Sequence, residues 1–319
     1  MRCEAKDCQT CATNYFLHKG MCVTSCPANH YGDMDSTCRP LAGSVIALKT
    51  TGLGETHLIV SNATDCVQLV PLEESERKDP STIEDEAKMW MVSSSGGEKA
   101  TFRNVKTGMA LYMPSQKVKS DECASDVSSC AVARPPKPVY GEKSLWTDNE
   151  WSSHKCDKSA FTISALGNSQ IALELETRYL QFVKGMVVFS LTTTTPEDRK
   201  IATNERFEPL IVMPAVKSEV KKSGRCASLI TQALQCSAAA GGQGLDDFAD
   251  FTEQGTDTKR PPGCYYYHDE ITAPQSKGYQ ELPVKVMRVA LNLLSDGAQA
   301  DYSRFADFSA KTPCLCKVV

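Results

Sequence analysis

The residues able to do chemistry are scattered along the chain. Five histidines, His18, His30, His57, His154 and His268, fall in stretches that read as loops or strands. None belongs to an H-E-x-x-H pair, and no G-x-S-x-G supplies a nucleophile on a strained turn. Each therefore reads as a surface or turn residue. Gly241-Gly242-Gln243-Gly244 lacks the Lys-Ser/Thr of a phosphate loop and follows a helical stretch instead of a strand. Asp246-Asp247-Phe248-Ala249-Asp250 offers carboxylate oxygens without the twelve-residue loop and terminal Glu of a calcium site, so it reads as a solvated acidic face. The expectation is a non-enzymatic protein with no cofactor and no metal.

Cysteine is the exception to this sparseness. The chain holds 15, too many for a reducing cytosol, and they concentrate at its two ends and in loops. That usage implies an oxidising compartment: extracellular, cell-surface or luminal. An odd number leaves at least one thiol free, paired between chains or bonded elsewhere; Cys66, Cys156 and the five C-terminal cysteines, Cys226, Cys236, Cys264, Cys314 and Cys316, are the candidates. Asn62-Ala63-Thr64 is a glycosylation sequon placed after an alternating run. Lys and Arg number 35 against 39 Asp and Glu, a net charge of −4 with both signs dispersed, so no basic field invites nucleic acid. No apolar run reaches the roughly 18 residues that span a bilayer. The start, Met1-Arg2-Cys3, lacks the apolar stretch of a signal peptide, which implies a signal already removed or lying upstream.

The elements that must position these residues fall into three regions: 1–40, 43–213 and 226–319. Residues 1–40 hold Cys3, Cys8, Cys11, Cys22, Cys26 and Cys38 but little aliphatic core, so they need staples. The run C-x2-C-x10-C-x3-C from Cys8 to Cys26 resembles furin-like or growth-factor-receptor cysteine-rich repeats. That resemblance implies Cys8 with Cys22 and Cys11 with Cys26, leaving Cys3 and Cys38 for each other or for a missing neighbour. Zinc is the competing reading, but a ribbon wants a second C-x2-C after a longer gap, and His18 and His30 do not complete a finger spacing.

From 43 to 213 short alternating runs separated by Gly, Ser, Asn and Lys predict at least ten strands and a closed barrel or sandwich. An internal repeat organises them. Trp90-Met91-Val92-Ser93, followed by two short runs, returns as Phe161-Thr162-Ile163-Ser164 with the same order of features. Aligning on Trp90, Phe161 and Phe207 gives three units, about 43–91, 92–162 and 163–212, and this threefold repetition resembles a β-trefoil. The resemblance implies that the three aromatics fill the core. Secreted trefoils are often lectins, yet the triplets Lys88-Met89-Trp90, Ser159-Ala160-Phe161 and Glu205-Arg206-Phe207 lack the Gln of the ricin-type Gln-x-Trp. An insertion at 114–144 lengthens the middle unit; Cys123 and Cys130 are near enough to clip it into a protrusion that would meet a partner.

Residues 213–225 read as a charged linker. Ala227 to Ala240 reads as a helix stopped by Gly241-Gly242. The Cys-Ser-Ala-Ala-Ala run at Cys236, Pro261-Pro262-Gly263-Cys264 before three tyrosines, and terminal Cys314-Leu315-Cys316-Lys317 resemble a small cysteine-rich domain of secreted or surface proteins in dinoflagellates and other algae. That family carries a further cysteine before the C-x-C; here a helix is expected over about 283–295. The sequence thus predicts a mainly β chain, a central trefoil flanked by small disulfide-rich domains, the C-terminal one α+β. Its expected role is structural, with protein partners in an extracellular assembly. Glycans bound through Trp146, Trp151 or Tyr265 to Tyr267 form the alternative, and a hydrolase built from distant residues is third.

Overall fold

The computed structural model describes residues 10–51, 57–61, 66–117, 123–125, 130–134, 158–190, 201–221, 228–245, 253–255, 263–272, 283–292 and 314–318, less positions 14, 28, 33, 34, 97, 98, 168 and 184, together with Cys8 and Cys226. They fall into two compact units, divided after Pro214. Asn62, Cys3, Cys156, His154, Trp146, Trp151 and the acidic run at 246–250 lie outside the described residues.

The first unit opens with two small hairpins: β1 (Phe16–His18) with β2 (Met21–Val23), and β3 (His30–Gly32) with β4 (Cys38–Pro40). Twelve strands of one sheet follow. These begin with β5 (Val45–Thr50), β6 (His57–Val60), β7 (Gln68–Pro71) and, after the short helix α1 (Glu74–Lys78), β8 (Trp90–Ser94). Next come β9 (Lys99–Asn104) and β10 (Ala110–Tyr112), a separate hairpin of β11 (Ser115–Lys117) and β12 (Cys123–Ser125), then β13 (Val132–Arg134) and β14 (Phe161–Gly167). The last four are β15 (Gln170–Leu175), β16 (Arg178–Val183), β17 (Met186–Phe189) and β18 (Phe207–Met213).

Pairing closes six of these into a barrel: β5 to β8, β8 to β9, β9 to β14, β14 to β15, β15 to β18, and β18 back to β5. Three hairpins, β6–β7, β10–β13 and β16–β17, cap it. A closed barrel leaves no unpaired edge in this layer. The threefold relation is written into the register. In each unit the aromatic that starts the fourth strand pairs with a residue of the first: Trp90 with Ile46, Phe161 with Ala100, and Phe207 with Ile171. This is a β-trefoil, and its units run to the ends of the fourth strands at Ser94, Gly167 and Met213. Trp90, Phe161 and Phe207 are fully buried. Phe102 packs edge-on to Phe161 at 5.7 Å and Phe182 edge-on to Phe207 at 6.0 Å. Trp90 donates its indole N–H to the Ile59 carbonyl at 2.9 Å, which settles the one polar atom the indole carries inside.

At the cap the three hairpins meet in a ring of short apolar residues. Val67 N donates to Ala131 O at 2.9 Å and Ala131 N to Val187 O at 2.8 Å, while β17 returns to β7 at Met186 opposite Gln68. All three of Val67, Ala131 and Val187 are buried in the barrel core.

The 114–144 insertion differs from expectation at this point. Cys130 bonds to Cys66 in place of Cys123, because Ala131-Val132-Ala133 is apolar enough to be drawn into the cap, which carries Cys130 to Cys66, two residues ahead of β7. Residues 131–133 are thus core and not a protrusion; the side chain of Cys123 and residues 135–144 lie outside the described residues. The N-terminal pairing also differs: Cys11 bonds to Cys22 and Cys26 to Cys38. Cys8 N donates to Gly20 O, which lays the preceding chain along the hairpin turn and brings Thr10 and Cys11 beside Cys22. Cys8 is itself disulfide-bonded. Nor is this segment separate from the trefoil. Tyr31 and Leu41 join the barrel core, and Ser169 Oγ donates to Gly32 O at 2.8 Å.

The second unit is α+β. Its sheet runs β19 (Ser218–Lys221), β23 (Cys314–Lys317), β21 (Gly263–Thr272), β22 (Pro283–Asn292) and β20 (Glu253–Gly255), with α2 (Ala233–Gly242) packed on it. The expected linker is thereby partly strand, since Val220 pairs with Leu315 of the terminal strand. The helix expected near 283–295 is β22. Val284, Val286 and Val289 are stiff, β-branched residues that suit a pleated ladder, and all ten residues pair with β21. The helix starts at Ala233, later than expected, because Leu229 is bridged to Cys316 in extended form. Alanines at 238–240 let α2 approach the sheet closely, and Cys236–Cys264 and Cys226–Cys316 tie helix and preceding segment to it.

Candidate functional site

Among the described residues the largest exposed apolar side chains are Tyr15 at 42%, Met21 at 53% and Met186 at 55%. Tyr15 immediately precedes β1, and Met21 starts β2 of the β1–β2 hairpin. Its turn, Lys19-Gly20, has positive φ at both residues, 48° and 76°, the mirror-image conformation that matches strand twist and joins strands through two residues. The register then sets His18 directly opposite Met21 and Phe16 opposite Val23. Directly opposed side chains share a face, so Met21 and His18 lie together at the hairpin tip.

The hairpin is held from below. Leu17 N donates to Ser36 O at 2.6 Å, Leu17 bridges Thr37, and Cys11–Cys22 pins the second strand. The Phe16 ring lies over Gly32, where an added Cβ would meet Phe16 Cε1 at 2.1 Å; only glycine admits that approach. These contacts carry His30, at the start of β3, to His18: the two rings lie edge to face with centroids 5.1 Å apart. Burial, then the nearby His30 and Lys19, hold the His18 pKa below its ordinary value, so its neutral form is favoured. In the loop beyond, burial of Asp35 is outweighed by donation from Arg39 and Thr37, which keeps its carboxyl below the usual range.

In sequence His18 and His30 each read as surface or turn residues and do not complete a finger spacing; the structure places their rings side by side. Twelve positions separate them, and only the hairpin and the return through β3 bring them together. The signal was available in His18-Lys19-Gly20-Met21, a two-residue turn flanked by strand residues. His57 starts β6, at the barrel cap, and the backbone of His268 lies in β21.

The tyrosines of β21 are less available than expected. Tyr265 is buried and stacks on Tyr267 at 5.9 Å, and Tyr266 packs against the core of the second unit, where burial raises its hydroxyl pKa. In the same unit Cys314 is a free thiol opposite Tyr265, its pKa pushed up to about 11 by burial. Such a thiol is held protonated and is a poor nucleophile.

No protein-family model and no curated protein matches the chain. Among solved structures it is similar to a designed 3-fold symmetric protein, ThreeFoil, at 11% identity and a TM-score of 0.32, over 52% of this chain and 97% of that one. It is also similar to a GlcNAcα1-4Gal releasing endo-β-galactosidase from Clostridium perfringens at 8% identity and a TM-score of 0.32, over 53% of this chain and 32% of that one. The trefoil assignment rests on the strand register and not on these scores. Five disulfides among the described residues, distributed over both units, fit an oxidising extracellular or secretory environment.

Proposed function

We propose that this protein is a non-enzymatic interaction protein of the extracellular or luminal space, built to hold a fixed surface within an assembly. The observation that carries this reading is the β1–β2 hairpin. Tyr15 and Met21 are large, apolar and exposed on a segment fixed by Cys11–Cys22, by Leu17 to Ser36 and by Phe16 on Gly32. Large apolar groups presented on a rigid support favour partner binding, because little conformational entropy is lost when the surface is covered. Fold alone does not give function, so the reading stands on that surface and on the disulfides.

The test is to isolate the full chain from its source without reductant and measure its assembly state by native light scattering. The expected result is a defined complex that Tyr15→Ser/Met21→Ser dissociates while the circular dichroism stays unchanged. A monomer at every concentration overturns the proposal. So does a complex indifferent to both substitutions. Specific binding on a glycan array by the unmodified chain would replace this reading with carbohydrate recognition.

A further inference from the structure

We propose that Met21 is an oxidation site, converted to its sulfoxide by hydrogen peroxide, and that the added oxygen weakens the assembly made through the β1–β2 hairpin. The inference rests on the interaction role proposed above and supplies its regulation.

The distribution of sulfur directs a peroxide to this residue. Cysteines bonded as Cys11–Cys22, Cys26–Cys38 and Cys66–Cys130 are already oxidised. Cys314 is the free thiol among the described residues, and burial pushes its pKa up to about 11, so it is held protonated and reacts slowly. The thioethers are left as targets. In the first unit the fold hides Met89, Met91 and Met113, whereas Met21 and Met186 are more than half exposed. Met21 begins β2 directly after Gly20, which has no side chain to screen it.

In the step itself the Met21 Sδ attacks one peroxide oxygen, and an S–O bond forms as the O–O bond breaks. The departing hydroxide takes the proton of the transferred hydroxyl and leaves as water. Sulfur is oxidised and the peroxide reduced by the same electron pair. Position decides the consequence. Pairing with β1 and the Cys11–Cys22 bond hold β2 without help from the Met21 side chain, so the fold survives the change. The contact surface does not: an apolar side chain becomes a polar one. A sulfoxide oxygen covered by a partner loses its water, and burying one unpartnered polar group is worth about tenfold or more in affinity. Met186 is equally exposed but lies on β17, so its oxidation leaves the β1–β2 surface as it was.

The test treats the full chain with hydrogen peroxide in dilute solution, where the hairpin is uncovered, then removes the peroxide and concentrates the protein. Peptide mass spectrometry is expected to find oxygen on Met21 and Met186 before Met91 and Met113. Light scattering is expected to show assembly weakened at least about tenfold, with circular dichroism unchanged. Met21→Leu keeps the apolar bulk and loses the thioether, so its complex should withstand peroxide, while that of Met186→Leu should weaken like the parent's. The proposal alone is overturned if the complex persists with Met21 fully oxidised, if peroxide weakens the Met21→Leu complex equally, or if Met21 is oxidised no faster than Met91. A chain that is monomeric at every concentration before peroxide overturns the interaction role and this proposal together.

Discussion

Replacing Cys66 and Cys130 together by alanine tests whether the cap of the trefoil is stabilised through its denatured state. The bond joins positions 64 apart in sequence. On the loop-entropy account, opening a loop of that length restores denatured-state freedom worth about 4 kcal/mol. Lost packing adds little, because Cys66 is exposed and Cys130 only half-buried. The folded cap should survive, since Val67 to Ala131 and Ala131 to Val187 remain hydrogen-bonded and buried without the sulfurs. The double variant is therefore expected to keep native near-ultraviolet dichroism, to unfold about 4 kcal/mol more easily in urea, and to melt about 8–16 °C lower for a unit of this size. Its m-value should rise, because a denatured chain freed of the cross-link exposes more surface. Single substitutions are avoided, as an orphan thiol invites exchange with the other bonds. A loss below about 1 kcal/mol, or an unchanged m-value, would refute the entropic account, and loss of the native dichroism would show that the bond builds the cap.

Three further outcomes follow from buried polar groups. Lys88 Nζ donates to Glu76 Oε1 at 2.6 Å, with both side chains largely buried; Lys88→Met strands the carboxylate and is expected to cost about 3–5 kcal/mol in urea unfolding, most of which Glu76→Leu in the same chain should restore. Asn104 is fully buried, gives its amide protons to Ala87 O and Met89 O, and accepts from Thr107 N and Oγ; at about 1 kcal/mol per bond, Asn104→Ala should lose about 3–4 kcal/mol of stability by the same assay. Because the Cys314 pKa is raised from 9.0 to about 11, the native chain holds its proton over a range where the unfolded chain gives it up. Stability of the second unit should therefore fall as pH rises from about 9 to about 11, by up to about 3 kcal/mol. Cys314→Ala should flatten that dependence, and alkylation of the native thiol at pH 8 should run about 100-fold slower than that of an ordinary cysteine.

The trefoil was legible because its evidence is periodic. Trp90, Phe161 and Phe207 recur at matching places, and a large aromatic at a repeated position has one economical use, filling an interior. The register adds what periodicity could not: each aromatic begins the fourth strand instead of ending its unit, so the unit boundaries move a few residues onward. The second unit is less legible. Pro283 to Asn292 holds Leu, Met and Ala among its valines, and such a mixture suits either a helix or a strand until a partner is known. The partner is β21, and ten paired residues decide for the strand.

Cysteine pairing was the least legible feature, and the reason is physical. Spacing along the chain says which cysteines can meet, whereas bonding requires Cα atoms about 5.5 Å apart with suitable side-chain directions, and only tertiary structure supplies that. Cys123 was the nearer neighbour of Cys130 in sequence, but Cys66 became its partner because Val67 and Ala131 meet at the threefold cap. The third corner of that cap is instructive. Cys66 precedes Val67, Cys130 precedes Ala131, and the residue preceding Val187 is Met186, 55% exposed. Threefold repetition thus places two cysteines and a methionine at equivalent positions, and a disulfide can use only two of the three corners. The same reasoning explains His18 and His30, which carry no motif in sequence and come side by side once two hairpins have fixed where they stand.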